Sequence, residues 1–226
     1  MPPPSRLAVT YATDEDVVAE AGADFRELCP NSFKFAYGKD GAFSPSDLWT
    51  LTSATVNFAG QGVRPNMIAQ LRGPTSAFKG SGELLAVESV GSGSVTLRRI
   101  GEATGVGQPP SPASGLTGVE FLVTSLHSQL DAASRKLNEQ FSMDPALPGR
   151  QPGDAYDLSV IRTATIYLVL ARRYNDMVRT DRGDFTEKAK FYMQAYRDEI
   201  DSATIRWGAS GRAQPPTSHF GMKLTR

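Results

Sequence analysis

Apolar residues recur along this chain with two different periods. Between Asp154 and Trp207 the step is three and four. Leu158, Ile161, Ala164, Leu168 and Ala171 share one stripe, with Tyr167, Leu170, Tyr174 and Met177 beside it. Phe185, Ala189, Tyr192, Tyr196, Ile200, Ala203 and Trp207 form a second stripe. This spacing predicts two long amphipathic helices. Thr180-Asp181-Arg182-Gly183 reads as the turn between them, Asp184 with Glu187 as a capping box, and Gly208 as a helix stop. An earlier helix is expected from Thr13 to Leu28. Thr13 is its cap, Asp16 its third helical residue, Val17, Val18, Ala21, Phe25 and Leu28 its apolar face, and Pro30 its end. Leu126, Leu130, Ala133, Leu137 and Phe141 predict another helix over about 127–141, closed by Pro145, Pro148 and Pro152.

From about residue 42 to 126 the pattern changes. Runs are short, β-branched and broken by Gly and Pro, which predicts strands over 49–58, 63–71, 83–90, 95–100 and 119–123. Gly91-Ser92-Gly93-Ser94 is the hairpin turn between the third and fourth of these strands. A Gly-, Pro- and Ser-rich loop fills 101–118. The expected fold class is therefore α+β. A small bundle of about four helices, from 11–41 and 127–207, carries an inserted antiparallel β-barrel or sandwich over 42–126. Residues 1–10 form a Pro-rich arm and 208–226 an extended tail.

Composition narrows the function classes. The 226 residues are 40% hydrophobic, enough for a core, and the 24 Lys and Arg balance 24 Asp and Glu. A dedicated nucleic-acid binder carries a basic excess that is missing here. The single cysteine, Cys29, excludes an internal disulfide and a cysteine-built metal site, and reads as a buried small hydrophobe. No apolar run of membrane length occurs, and Met1-Pro2-Pro3-Pro4-Ser5 lacks the apolar core of a signal peptide.

Candidate chemistry is sparse. The two histidines, His127 and His219, have no ligand spacing around them. The acids Asp14, Glu15 and Asp16 read as compensation of a helix dipole rather than as a site. Gly80-Ser81-Gly82 and Gly101, Gly105 and Gly107 lack the strand-to-helix setting of a phosphate loop. No nucleophile–base set is recognisable. The expectation is a non-enzyme with no cofactor and no metal. Arg162, Arg172, Arg173, Arg179 and Arg182 gather on the first hairpin helix and its turn. They suit DNA-channel or subunit contacts, or else an ion-paired face with Asp176, Asp181 and Asp184; the neutral charge favours the second. In the tail, Phe220, Met222 and Leu224 alternate with polar residues beyond Pro215-Pro216. With Arg212, His219, Lys223 and Arg226 they are the candidate partner-binding residues, suited to a sheet edge or groove.

The order of elements supports a resemblance. A capped first helix (Tyr11-Ala12-Thr13-Asp14-Glu15-Asp16) is followed by a middle helix and a Pro-rich break. The hairpin then runs from Ile161-Arg162-Thr163-Ala164-Thr165-Ile166-Tyr167 to Tyr192-Met193-Gln194-Ala195-Tyr196. Over about 11–30 and 127–207 this resembles the head–tail connector, or adaptor, proteins of tailed bacteriophages, with 42–126 as an insertion. The resemblance implies a ring, commonly of twelve copies, beneath the portal protein in the virion neck, assembled in the host cytoplasm. Such a ring extends the DNA channel, contacts genomic DNA transiently and receives stopper or tail proteins. It also implies that the tail docks on the portal or on a neighbouring subunit. Other readings are a stopper, a tail terminator or another neck protein, and a nucleic-acid-binding module using the Arg-rich helix.

Overall fold

The computed structural model describes residues 10–29, 33–74, 78, 83–103, 105–143, 158–178 and 183–203. The chain forms two compact units, residues 13–127 and residues 1–12 with 128–226. Each is considered separately.

The first unit is a closed barrel with two helices outside it. Its strands are β1 (Lys34–Ser44), β2 (Asp47–Thr52), β3 (Ile68–Gly73), β4 (Glu83–Val90), β5 (Ser94–Arg98) and β6 (Leu116–Thr124). They run in the order β1-β2-β5-β4-β3-β6, all pairs antiparallel, and β6 closes on β1. Closure removes most of the free edge that an open sheet of this size would expose, leaving the first half of β1 without a second neighbouring strand among the described residues. Alternate residues point inward: Ala69 and Leu71, Leu85 and Val87, Val95 and Leu97, and Val119, Phe121 and Val123. Val56, Phe58, Val63 and Met67, from the connection between β2 and β3, join the same core. The Phe121 ring sits 5.3 Å from that of Phe58. Room for it comes from two glycines on β1. A Cβ at Gly38 would lie 2.5 Å from Phe121 Cζ, and one at Gly41 would lie 2.8 Å from the Val119 carbonyl oxygen.

The helices are α1 (Asp14–Ala21) and α2 (Phe25–Leu28). The Thr13 amide donates to the Asp16 carboxylate at 2.8 Å, the reciprocal arm expected of the cap. The single helix expected over 13–28 is interrupted at Gly22-Ala23-Asp24, where Gly22 and Asp24 have weak helical preference. On the barrel's outer side, Ile68, Gln70, Ala86, Leu122 and Thr124 are buried. Glu15 of α1 reaches the outward Arg98 of β5, and Arg26 of α2 lies within electrostatic reach of Arg72 on β3. These two helices thus lie along the outside of the barrel.

The second unit holds α3 (His127–Gln140), α4 (Ser159–Val178) and α5 (Gly183–Ser202), the division falling at the first residue of α3. Tyr192 stacks on Tyr174 with centroids 5.6 Å apart and planes 4° apart; Tyr167 and Phe185 extend the ladder at 5.9 and 5.8 Å. The Tyr196 hydroxyl bonds the Gln140 side chain at 3.0 Å, joining α5 to α3. The Tyr11 amide donates to Ser134 Oγ at 3.2 Å, and its hydroxyl bonds the Asn138 carboxamide. A residue that precedes the barrel thus belongs with helices that follow it, and the barrel unit is inserted between them.

Mixed α+β architecture with a barrel module is therefore what forms, but not as one four-helix bundle. Among the described residues there are five helices. Segment 11–41 does not go whole to the helical unit: Tyr11 does, while α1, α2 and the start of β1 belong with the barrel. Among the described residues six strands form rather than five. The missing one is β1, whose inward positions Ala36, Gly38 and Gly41 are too small to give an apolar alternation. Residues 53–58, expected as strand, form part of the connection that supplies Val56 and Phe58 to the core. Hairpin β4–β5 turns where expected, with the Gly91 amide donating to the Ser94 carbonyl at 2.8 Å.

Candidate functional site

The first turn of α1 does more than face a dipole. Asp14 is buried, and its carboxylate accepts the Leu126 amide at 2.7 Å, just before α3 begins. Burial pushes this carboxyl up to about 6, against the lowering effect of the Ser125 hydroxyl, the Leu126 amide and nearby His127. Glu15 points the other way. Its two oxygens take the Arg98 guanidinium in a bidentate pair at 2.5 Å each, and one also accepts the Gly101 amide at 2.6 Å. Burial alone would raise the Glu15 carboxyl, but the Arg98 and Gly101 hydrogen bonds outweigh it and hold the group low. Arg98 also pairs with Glu88 at 2.7 Å.

This network fixes the base of the loop after β5. Arg99 holds that loop from inside, with Nε on the Gln108 carbonyl at 2.6 Å and a pair to Glu83 at 2.6 Å. Gly101, Gly105 and Gly107 adopt positive φ in it, of 78°, 74° and 81°. The loop runs into β6, not into a helix, so it offers no helix N-terminus to a phosphate. Among the described residues no group of His, Cys, Asp and Glu has the arrangement of a metal site. Cys29 is buried and forms no disulfide. His127 is exposed at the start of α3, where its amide donates to the Ser125 hydroxyl oxygen at 3.0 Å.

The arginine group of α4 is divided. Arg172 is exposed, as is Arg162. Arg173 is buried and pairs with Asp176 at 2.9 Å, which takes it out of any outward row. Arg179 and Arg182 lie outside the described residues, as do Thr180 and Asp181 of the expected turn and the tail candidates Arg212, His219, Phe220, Met222, Lys223, Leu224 and Arg226, while Gly183 opens α5. Gly80-Ser81-Gly82, Trp207 and Gly208 also lie outside them. Asp184 is not at the cap of α5, which begins at Gly183; it falls in the first turn, where a carboxylate meets the positive end of the helix.

On α5 the hydrophobic stripe behaves as its spacing predicts, with Phe185, Tyr192, Tyr196, Ile200 and Ala203 buried. On the opposite side, Asp184, Glu187, Phe191, Gln194, Asp198 and Asp201 recur at steps of three and four, all exposed. Phe191 is 64% exposed, the most of any large apolar side chain among the described residues. It was not foreseen, although it is the one apolar residue of that polar stripe. Among the described residues no helix is long and apolar enough to cross a membrane. Compared with protein-family models, with curated proteins and with solved structures, the chain matches none.

Proposed function

We propose that this chain is a non-enzymatic virion component, a head–tail adaptor. Copies of it form a ring below the portal protein, extend the DNA channel and receive stopper or tail proteins in the neck. The observation that supports the reading is the order of α1, α3, α4 and α5, which follows the helix order of the adaptors that the chain resembles, with strands β1–β6 between α1 and α3 as an insertion. The exposed Phe191, framed by carboxylates, suits a head-to-tail contact between subunits, in which two different surfaces of one chain meet. Arg162 and Arg172 are the exposed described cations on α4.

Negative-stain imaging of the chain mixed with the portal protein of the same phage tests this. A twelve-fold ring seated on the portal is the expected result. A chain that stays monomeric beside an assembled portal overturns it. The closed barrel favours one other reading, a stopper or tail terminator in which the barrel makes the ring. Rings formed by residues 13–127 alone, the full barrel unit, would establish that instead.

A further inference from the structure

The first half of β1 has a strand beside it on one side only. Along Lys34–Gly41 it pairs with β6, whereas β2 pairs with β1 only at Ala42, Phe43 and Ser44. Asp40 marks the end of the open stretch. Its carboxylate accepts the Ala54 and Thr55 amides at 2.9 and 3.0 Å and the Ser53 hydroxyl at 2.9 Å. Upstream of Asp40, no strand among the described residues pairs with that side of β1. A strand edge of this kind turns alternate N–H and C=O groups outward, available to one more strand.

The same stretch carries two of the four exposed large hydrophobics among the described residues, Phe35 at 38% and Tyr37 at 48%. They are two residues apart and so share the outer face, while Ala36 and Gly38 face inward and are buried. The Tyr37 hydroxyl is tied to Glu120 at 3.2 Å, on the β6 side and away from the open edge. Gly62 lies beside the Phe35 ring. Lys34 and Lys39, both exposed, bracket the aromatic pair. Lysines on an edge repel a like edge. They disfavour a second copy of β1, and also the chain's own Lys223 and Arg226. An acidic strand meets no such barrier.

We propose that the 34–39 edge of β1 accepts an extended segment of a partner protein. That segment has apolar residues at alternate positions to pack on Phe35 and Tyr37, and carboxylates near its ends to pair with Lys34 and Lys39. The proposal draws on the barrel alone and stands whether or not the chain is an adaptor.

Hydrogen exchange and fluorescence anisotropy on the full chain test it with two labelled peptides. Both alternate valine and threonine; one is bracketed by glutamates and the other by lysines. The glutamate peptide is expected to slow exchange at residues 35–39 and to bind about tenfold tighter than the lysine peptide. The double variant Phe35→Ala/Tyr37→Ala weakens it by about tenfold, and Lys34→Glu/Lys39→Glu reverses the preference. Equal binding of the two peptides overturns the proposal, as does binding that leaves residues 35–39 unprotected. Tighter binding by a peptide of residues 218–226 overturns it as well, by making the chain's own tail the occupant. If a variant fails to fold, the exchange pattern of the unmodified chain decides.

Discussion

In α4 and α5 the interior is set by what side chains add. Tyr174, Tyr192 and Phe185 meet ring to ring, and every buried position repeats at a helical step. In the barrel it is set as much by what the backbone omits, since the Phe121 ring occupies space that Gly38 and Gly41 leave empty. The two regions reach similar burial by opposite means. A helix pair tolerates large residues because its facing surfaces are convex and interdigitate. A small closed barrel has a fixed bore, so each large residue inside it requires a small one opposite.

The largest expected effect follows from that bore. Phe121→Ala should cost about 3–5 kcal/mol, read as the urea midpoint. Gly38→Val in the unmodified chain should cost about 1–3 kcal/mol through overpacking. In the Phe121→Ala background the same change should cost much less, or stabilise, because the ring it collides with is gone. Additive costs would show that Gly38 does not make room for Phe121.

Next in size is a pH dependence at Asp14. Its folded value is raised from 3.8 to about 6, so the group favours folding when protonated. Its contribution is present in full below about pH 4 and is lost as pH rises through about 6. The span corresponds to about 3 kcal/mol at most. Asp14→Asn should remove this slope, leaving a difference from the unmodified chain that grows between pH 4 and 7 in the variant's favour. Parallel pH profiles would mean that Asp14 does not titrate across this interval.

Glu15 comes third. Glu15→Ala leaves the Arg98 guanidinium and the Gly101 amide without their shared acceptor, at about 1–3 kcal/mol. It should also raise amide exchange in the 101–108 loop while leaving α4 and α5 unchanged. Loop exchange that stays at the unmodified rate would show that Arg99 alone holds the loop.

How much of this the sequence reveals differs between the same two regions. The helical faces are legible because size and period coincide: Ile161, Ala164, Leu168 and Ala171 could be placed on one buried stripe without any structure. Strand β1 is illegible for the converse reason. In its first half the inward residues are Ala36 and Gly38, while Phe35 and Tyr37 point outward, so the usual alternation is inverted there, and only Phe43 near its end is large and inward. Asp14 and Glu15 were readable as acids at a helix start, but their partners Leu126 and Arg98 lie 112 and 83 residues away. Local chemistry cannot supply such pairs. Only the excess of three acids over what one helix end needs, with Arg98-Arg99 unaccounted for, hints that some of them serve elsewhere.

Phe191 separates folding from assembly most cleanly, because the smallest effect on stability goes with the largest on the proposed ring. Its side chain is 64% exposed and touches the buried ladder only edge-on, at 5.1 Å from Tyr192. Phe191→Ser should therefore change stability by no more than about 0.5 kcal/mol. The carboxylates of Asp184, Glu187, Asp198 and Asp201 on the same face keep the variant soluble and repel a like surface, so the partner surface must be a different one. If that contact closes the ring, the variant stays folded and monomeric beside the portal, and its sedimentation profile loses the ring species. Rings that form normally from Phe191→Ser chains would move the subunit contact off this face of α5.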